Sequence, residues 1–319
     1  MTAVREQGRI NENTYLIDTK LFGVGGTLAV YLVKATKSCL IDCGGQTEVK
    51  RIVKTLKDIE VFPPDYVILT HSHWDHSQGV PLMREIAQKE NKHFEVLASE
   101  KAIPLLEDQS FNEVFHPKKP LINIKDVTPL KESDIIDLEG LELKIIDVPG
   151  HSKDHIAIRD EKNKNLFVGD AIGSSFGEKA FLAPFMPPFW NKDDYYSSMD
   201  KLRQTEFEGI CLGHFGYIYG QEAKNLVNEA RNLTDQWWQI FESVEAENKL
   251  DDMNYLLNLI IQETNEVIPD FKVEKLSMKI GLGLMNGIRK ITRKEPLVVG
   301  RILLLEVLPW LVKGYKISK

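Results

Sequence analysis

Four side chains of metal-binding type fall within six residues at His71-Ser72-His73-Trp74-Asp75-His76. This hexapeptide limits what the chain can fold into more than any other feature. It follows a short β-branched run at 66–70, itself preceded by Pro63-Pro64, so it stands at the end of a predicted strand. In an extended segment, residues i and i+2 point to the same side. His71 and His73 can therefore grip one cation together, while Asp75 and His76 diverge and can reach a second one nearby. With 8 histidines in 319 residues, this clustering is rarely an accident of composition.

Three further segments fit the same purpose. Pro149-Gly150-His151 follows a predicted strand at 141–148, Gly169-Asp170 follows one at 165–168, and Gly213-His214 follows one at 209–212. In each, a glycine lets the backbone turn sharply just before a ligand-type side chain. Other strand patterns lie at 27–33, 38–42, 94–98 and 155–159, and helical spacing at 48–56, 79–89 and 193–204. From about residue 221 strand signals stop. Amphipathic patterns then run over 222–248, 251–264, 273–291 and 297–312. The expected class is α/β (α+β), with a mixed domain over 1–220. An all-helical extension over 221–319 packs on it, caps the site or forms a homodimer interface.

Hydrophobic residues are 43% of the chain and charged residues 27%, which suits a packed globular protein. With 40 Lys and Arg against 47 Asp and Glu, the net charge of −7 offers nucleic acid no basic face. Three cysteines make no disulfide framework and suit a cytoplasmic location. Cys39, Cys43 and Cys211 read as buried packing residues. Residues 1–8 hold no apolar run, so no signal peptide is expected there. The most apolar stretch, 297–312, is interrupted by Arg301, Glu306 and Pro309 and is too short for a membrane span. It reads as a buried or partner-facing helix, with membrane-surface contact as the lesser alternative. The basic run Arg289-Lys290…Arg293-Lys294 reads as a solvated face.

Taken in order, these motifs resemble the metallo-β-lactamase superfamily over roughly residues 10–220, nearest its glyoxalase II-like branch. Leu40-Ile41-Asp42-Cys43-Gly44 matches the strand-and-turn element of that family as well. The resemblance implies an αββα sandwich with the metal site between the sheet edges. It implies one divalent metal on His71, His73 and His151, a second on Asp75, His76 and His214, and Asp170 bridging them. Zn is the leading metal, with Fe and Mn as alternatives. Two such ions share and ionise a water near neutral pH, and the bridging hydroxide then attacks the substrate. Asp75 is the candidate catalytic residue, orienting the nucleophile or shuttling its proton. His155 matches a position that orients a strand or a ligand, while His93 and His116 have ordinary loop contexts.

The expected activity is hydrolysis of a small-molecule ester, thioester, lactone or phosphoester with an apolar portion. Candidate pocket residues are Phe22, Phe185, Phe189, Trp190, Phe215 and Tyr217, which flank the ligand segments. Lactonases of the superfamily carry a Tyr three residues after the bridging Asp, where this chain has Gly173. The alternative is an oxidoreductase resembling the mononuclear iron persulfide dioxygenases. Flavodiiron proteins are disfavoured because the helical tail lacks a phosphate-binding loop.

Overall fold

The computed structural model describes residues 3–293 and 296–319. Met1 and Thr2 of the amino-terminal reading and Lys294 of the basic run lie outside the described residues.

Alternation of side chains along each strand sorts the core into layers. One seven-stranded sheet orders its strands Gly8–Arg9, Thr14–Asp18, Ala29–Lys34, Ser38–Ile41, Tyr66–Leu69, Glu95–Ser99 and Thr128–Leu130. On Ala29–Lys34, Val30 and Leu32 pack under the helices Val49–Asp58 and Val80–Lys89, while Ala29, Tyr31 and Val33 face the other sheet. The second seven-stranded sheet orders Ala3–Val4, Gly216–Tyr219, Gly209–Leu212, Asn165–Gly169, Ile156–Asp160, Glu142–Asp147 and Ile135–Asp137. There Phe167 faces inward, and Leu166 and Val168 pack outward against the C-terminal helices. The result is the expected αββα sandwich.

Sheet registers place the ligand-bearing ends together. Tyr66–Leu69 runs parallel to both its neighbours, Ser38–Ile41 and Glu95–Ser99, and Asn165–Gly169 runs parallel to Gly209–Leu212. Parallel neighbours end on the same side, so the loops that leave them emerge along one edge of the sandwich.

The tail forms helices at Gln221–Ala246, Met253–Thr264, Leu276–Ile291 and Val299–Ile317. The first, second and fourth share one apolar cluster with the second sheet, through Leu226, Phe241, Leu256, Leu308 and Leu311. The fourth continues past the expected end at 312, because Tyr315 is itself fully buried. A short strand, Lys272–Val273, pairs with Val24–Gly25 where the sequence patterns gave only helix. The Glu274 and Lys275 amides donate to the Gly23 carbonyl, which delays the third helix to Leu276. Among the described residues, no helix is long and apolar enough to cross a membrane.

Candidate metal centre

Each ligand-type residue stands just beyond a strand. His71 follows Tyr66–Leu69, His151 follows Glu142–Asp147, Asp170 follows Asn165–Gly169 and His214 follows Gly209–Leu212. The chain stays extended through His73 and then coils into the short helix Trp74–Ser77, which carries Asp75 toward His214 and leaves the His76 ring 4.3 Å from that of His71. The structure brings all seven side chains together. His71 Nε2 and His151 Nε2 each lie 3.0 Å from His73 Nδ1. Asp170 Oδ2 lies 3.4 Å from His76 Nε2, 3.5 Å from His214 Nε2 and 3.6 Å from His151 Nε2. Asp75 Oδ2 lies 3.3 Å from His214 Nε2 and 3.9 Å from His76 Nε2.

The far nitrogens of four rings are fixed, which aims the near ones inward. His214 Nδ1 donates to the Thr27 carbonyl at 2.6 Å and His151 Nδ1 to the Pro184 carbonyl at 3.0 Å. His76 Nδ1 donates to Asp42 Oδ2 at 2.8 Å. His71 Nδ1 lies 3.0 Å from Thr70 Oγ1, which in turn donates to Asp42 Oδ2 at 2.9 Å. One carboxylate thus orients two rings. Its role is not evident from the Leu40-Ile41-Asp42 pattern, because the partners are about thirty residues away. His155 stacks on His71 at 4.6 Å and accepts the Asp170 amide at 3.1 Å, so it supports two of the seven residues.

Burial and the neighbouring imidazoles push His71 and His73 well below the ordinary imidazole range, which leaves them neutral with free lone pairs. Burial alone would raise the Asp170 carboxyl, but His214 and His76 outweigh it and hold the carboxyl well below its usual range. His71 and His73 thus stand ready to bind a cation. At His76 and His214 burial is outweighed by Asp170 and Asp75, which raise both rings, so a cation bound there would displace their protons.

The residues fit a divalent metal on two counts. His76 Nε2 and Asp170 Oδ1 are buried without a hydrogen-bond partner, a cost that a bound cation removes. A tetrahedral metal at 2.0–2.1 Å from nitrogen sets its ligands about 3.3–3.4 Å apart, close to the histidine spacing here. Gly213 also belongs to this cradle. A Cβ there would stand 2.7 Å from Asp170 Oδ1 and 2.9 Å from His76 Cε1.

Above the cluster opens a cleft of about 890 Å³. His73, Asp75, His151, Asp170 and His214 form its floor. Phe22, Trp74, Phe115, Phe176, Leu182 and Met186 line it together with a C-terminal wall of Phe271, Leu303, Leu304, Val307 and Trp310. The two sets meet where Phe115 packs on Trp310 at 5.2 Å and Phe176 on Phe271 at 5.1 Å. Of the pocket residues expected from sequence, Phe22 lines the cleft. The other five are placed elsewhere. Phe185 is fully buried among Trp190, Trp238 and Phe241, and Trp190 packs between Phe185 and Tyr195. Phe189 lies against Phe111, Phe215 is buried between the sheets, and Tyr217 stacks on Tyr219. Ala183, Pro184 and Met186, next to Phe185 in the run 183–190, reach the cleft instead. The C-terminal wall is the cap expected of the tail helices, although its individual residues were not singled out. Its signal was the 303, 304, 307, 310 spacing, which marks one helix face but not what that face covers.

The family model for the metallo-β-lactamase superfamily matches residues 22–214. Acyl-coenzyme A thioesterase MBLAC2 of Gallus gallus is 26% identical over 251 residues, covering 69% of this chain and 86% of that protein. Hydroxyacylglutathione hydrolase of Hamiltonella defensa is 30% identical over 186 residues, covering 57% of this chain and 60% of that one. An archaeal superfamily protein from Sulfolobus tokodaii shares the fold, with a TM-score of 0.55 and 17% identity over 70% of this chain and 86% of its own. The chain belongs to the metallo-β-lactamase superfamily and is a metal-binding hydrolase.

Proposed function

We propose that the chain is a binuclear hydrolase of thioesters with an apolar acyl group. The observation that carries this reading is the position of the ligand cluster, at the floor of a cleft walled by aromatic and aliphatic side chains. The thioesterase and hydroxyacylglutathione hydrolase names of two relatives support the thioester class. His71, His73 and His151 would hold one ion, and Asp75, His76 and His214 the other, with Asp170 between them. Zn is the leading candidate, and Fe or Mn suit the same nitrogen and oxygen donors. When bound, such ions supply Lewis acidity and a water ionised near neutral pH.

The chain's own residues do the remainder. The acyl chain packs against Leu303, Val307 and Trp310, which excludes water and leaves the thioester carbon over the floor. Asp75 is ionised, because His76 and His214 outweigh the effect of its burial. It faces the cleft 3.3 Å from His214 Nε2, where it can orient the attacking water and take its proton. The C–O bond forms, the C–S bond breaks and the thiolate leaves. A lactonase reading has less support, because a Cβ at Gly173 would stand 2.7 Å from the Leu182 carbonyl and leaves no room for a Tyr. Neither Tyr195 nor Tyr217 lines the cleft. Three buried, unpaired cysteines support a reducing, cytoplasmic setting.

The test is metal content by elemental analysis, alongside hydrolysis of acyl-coenzyme A thioesters from acetyl to palmitoyl. Phosphodiesters, lactones and simple esters serve as the comparison. The expected result is about two metals per chain and chelator-sensitive thioester hydrolysis that rises with acyl length. A single iron with oxygen uptake on a persulfide, and no hydrolysis, would replace this reading with the dioxygenase one.

A further inference from the structure

The Leu276–Ile291 helix has no buried residue. Leu276, Ile280, Leu284, Ile288 and Ile291 recur at helical spacing on one side, and are between 55% and 83% exposed. Nothing stands within 4 Å of where a Cβ would lie at Gly281, Gly283 or Gly287, so this face is uncovered. The helix is nonetheless tied down at both ends. Its entry is fixed by the pairing of Lys272–Val273 with Val24–Gly25. Near its exit, the Asn286 side chain exchanges hydrogen bonds with the Leu297 backbone at 2.7 and 3.2 Å. Both tethers lead to cleft walls, through Leu21 and Phe22 on one side and Leu303 to Trp310 on the other.

Charge identifies what covers the face. Residues 275–293 carry Lys275, Lys279, Arg289, Lys290 and Arg293 and no acidic residue. The other 300 residues carry 35 Lys and Arg against 47 Asp and Glu. A basic patch on an acidic protein, flanking an exposed apolar stripe, matches an anionic interface with a hydrocarbon interior. A twofold contact with a second copy would instead bring this basic face against the same basic face of its partner. Three glycines also leave a helix of this length weak in water unless a surface supports it.

We propose that this helix lays its apolar face on an anionic lipid surface and so sets the cleft mouth beside the bilayer. An apolar substrate then reaches the cleft without crossing bulk water. Surface binding does not depend on the hydrolase reading and is measured separately from it.

The test is co-sedimentation of the full chain with vesicles of phosphatidylcholine alone, or with about 30% phosphatidylglycerol. Binding is expected on the anionic vesicles and should fall as salt rises. The double variant Ile280→Glu/Leu284→Glu should lower the bound fraction about tenfold. Lys279→Glu/Lys290→Glu should remove the preference for anionic vesicles. All four side chains are exposed and none touches the cleft, so hydrolysis of a water-soluble short-chain thioester should be unchanged in both variants. Absence of vesicle binding would overturn the proposal, as would equal binding by the apolar variant. So would a dimer that the apolar variant dissociates in a chain that ignores vesicles, which would make a second copy the occupant.

Discussion

The floor and the C-terminal wall of the cleft are held by different forces. On the floor, ligand-type histidines beyond three strand ends are fixed by directional hydrogen bonds to Thr70, Asp42, Pro184 and Thr27. The wall comes from the Val299–Ile317 helix, positioned by burial of Leu304, Leu308, Leu311 and Tyr315. Directional contacts leave little tolerance, since losing one partner leaves a buried polar group unpaired. Apolar packing is graded, and its loss scales with the area exposed. The floor should therefore fail abruptly when altered and the wall by degrees.

The largest expected effect is on the floor. Asp170→Asn keeps the side chain's size and removes its charge, so kcat/KM should fall on the order of a thousandfold. Metal content should drop while circular dichroism stays native. Asp42→Asn touches the rings only from behind, and a loss of about ten- to a hundredfold is expected. Equal losses from the two would mean that the floor fails as a unit.

A smaller effect is expected at the wall. Trp310→Ala should raise KM for long-chain thioesters about tenfold and leave kcat on acetyl thioesters within about twofold. A kcat loss equal to that of Asp170→Asn would erase the distinction between wall and floor.

The smallest effect concerns how the tail is clamped. Glu266, in the loop after the second tail helix, is buried and accepts the Phe181 amide beside the cleft residue Leu182. Burial pushes its carboxyl up to about 7. The folded state therefore favours the protonated acid. That stabilisation is complete below the ordinary carboxyl range and is lost as pH rises through about 7. The melting temperature should decline from about pH 5 to about pH 7.5. Glu266→Gln, which cannot titrate, should flatten that decline.

Much of the sandwich was legible in the sequence because its signals are local. Strand alternation, the glycine before His151, Asp170 and His214 and the i, i+2 spacing of His71 and His73 all lie within a few residues. The Thr14–Asp18 strand was missed because Leu16 and Ile17 are adjacent and both buried, one in each layer, which hides the alternation. Phe185 and Trp190 were expected in the pocket because they flank the site in sequence. Neighbours on that run face opposite ways, and Phe185 turns to Trp238 and Phe241 of the first tail helix, with Trp190 packed against it.

What the sequence determined by itself is therefore the set of seven ligand-type side chains and the frame that carries it, since both are written in short-range spacing. The tertiary structure alone decided that Asp42 orients two histidines and that residues 303–310 wall the cleft. It also decided that one apolar tail helix is buried while its neighbour is bare. Those outcomes depend on which surfaces meet when the tail folds back on the second sheet, and no local pattern encodes that meeting.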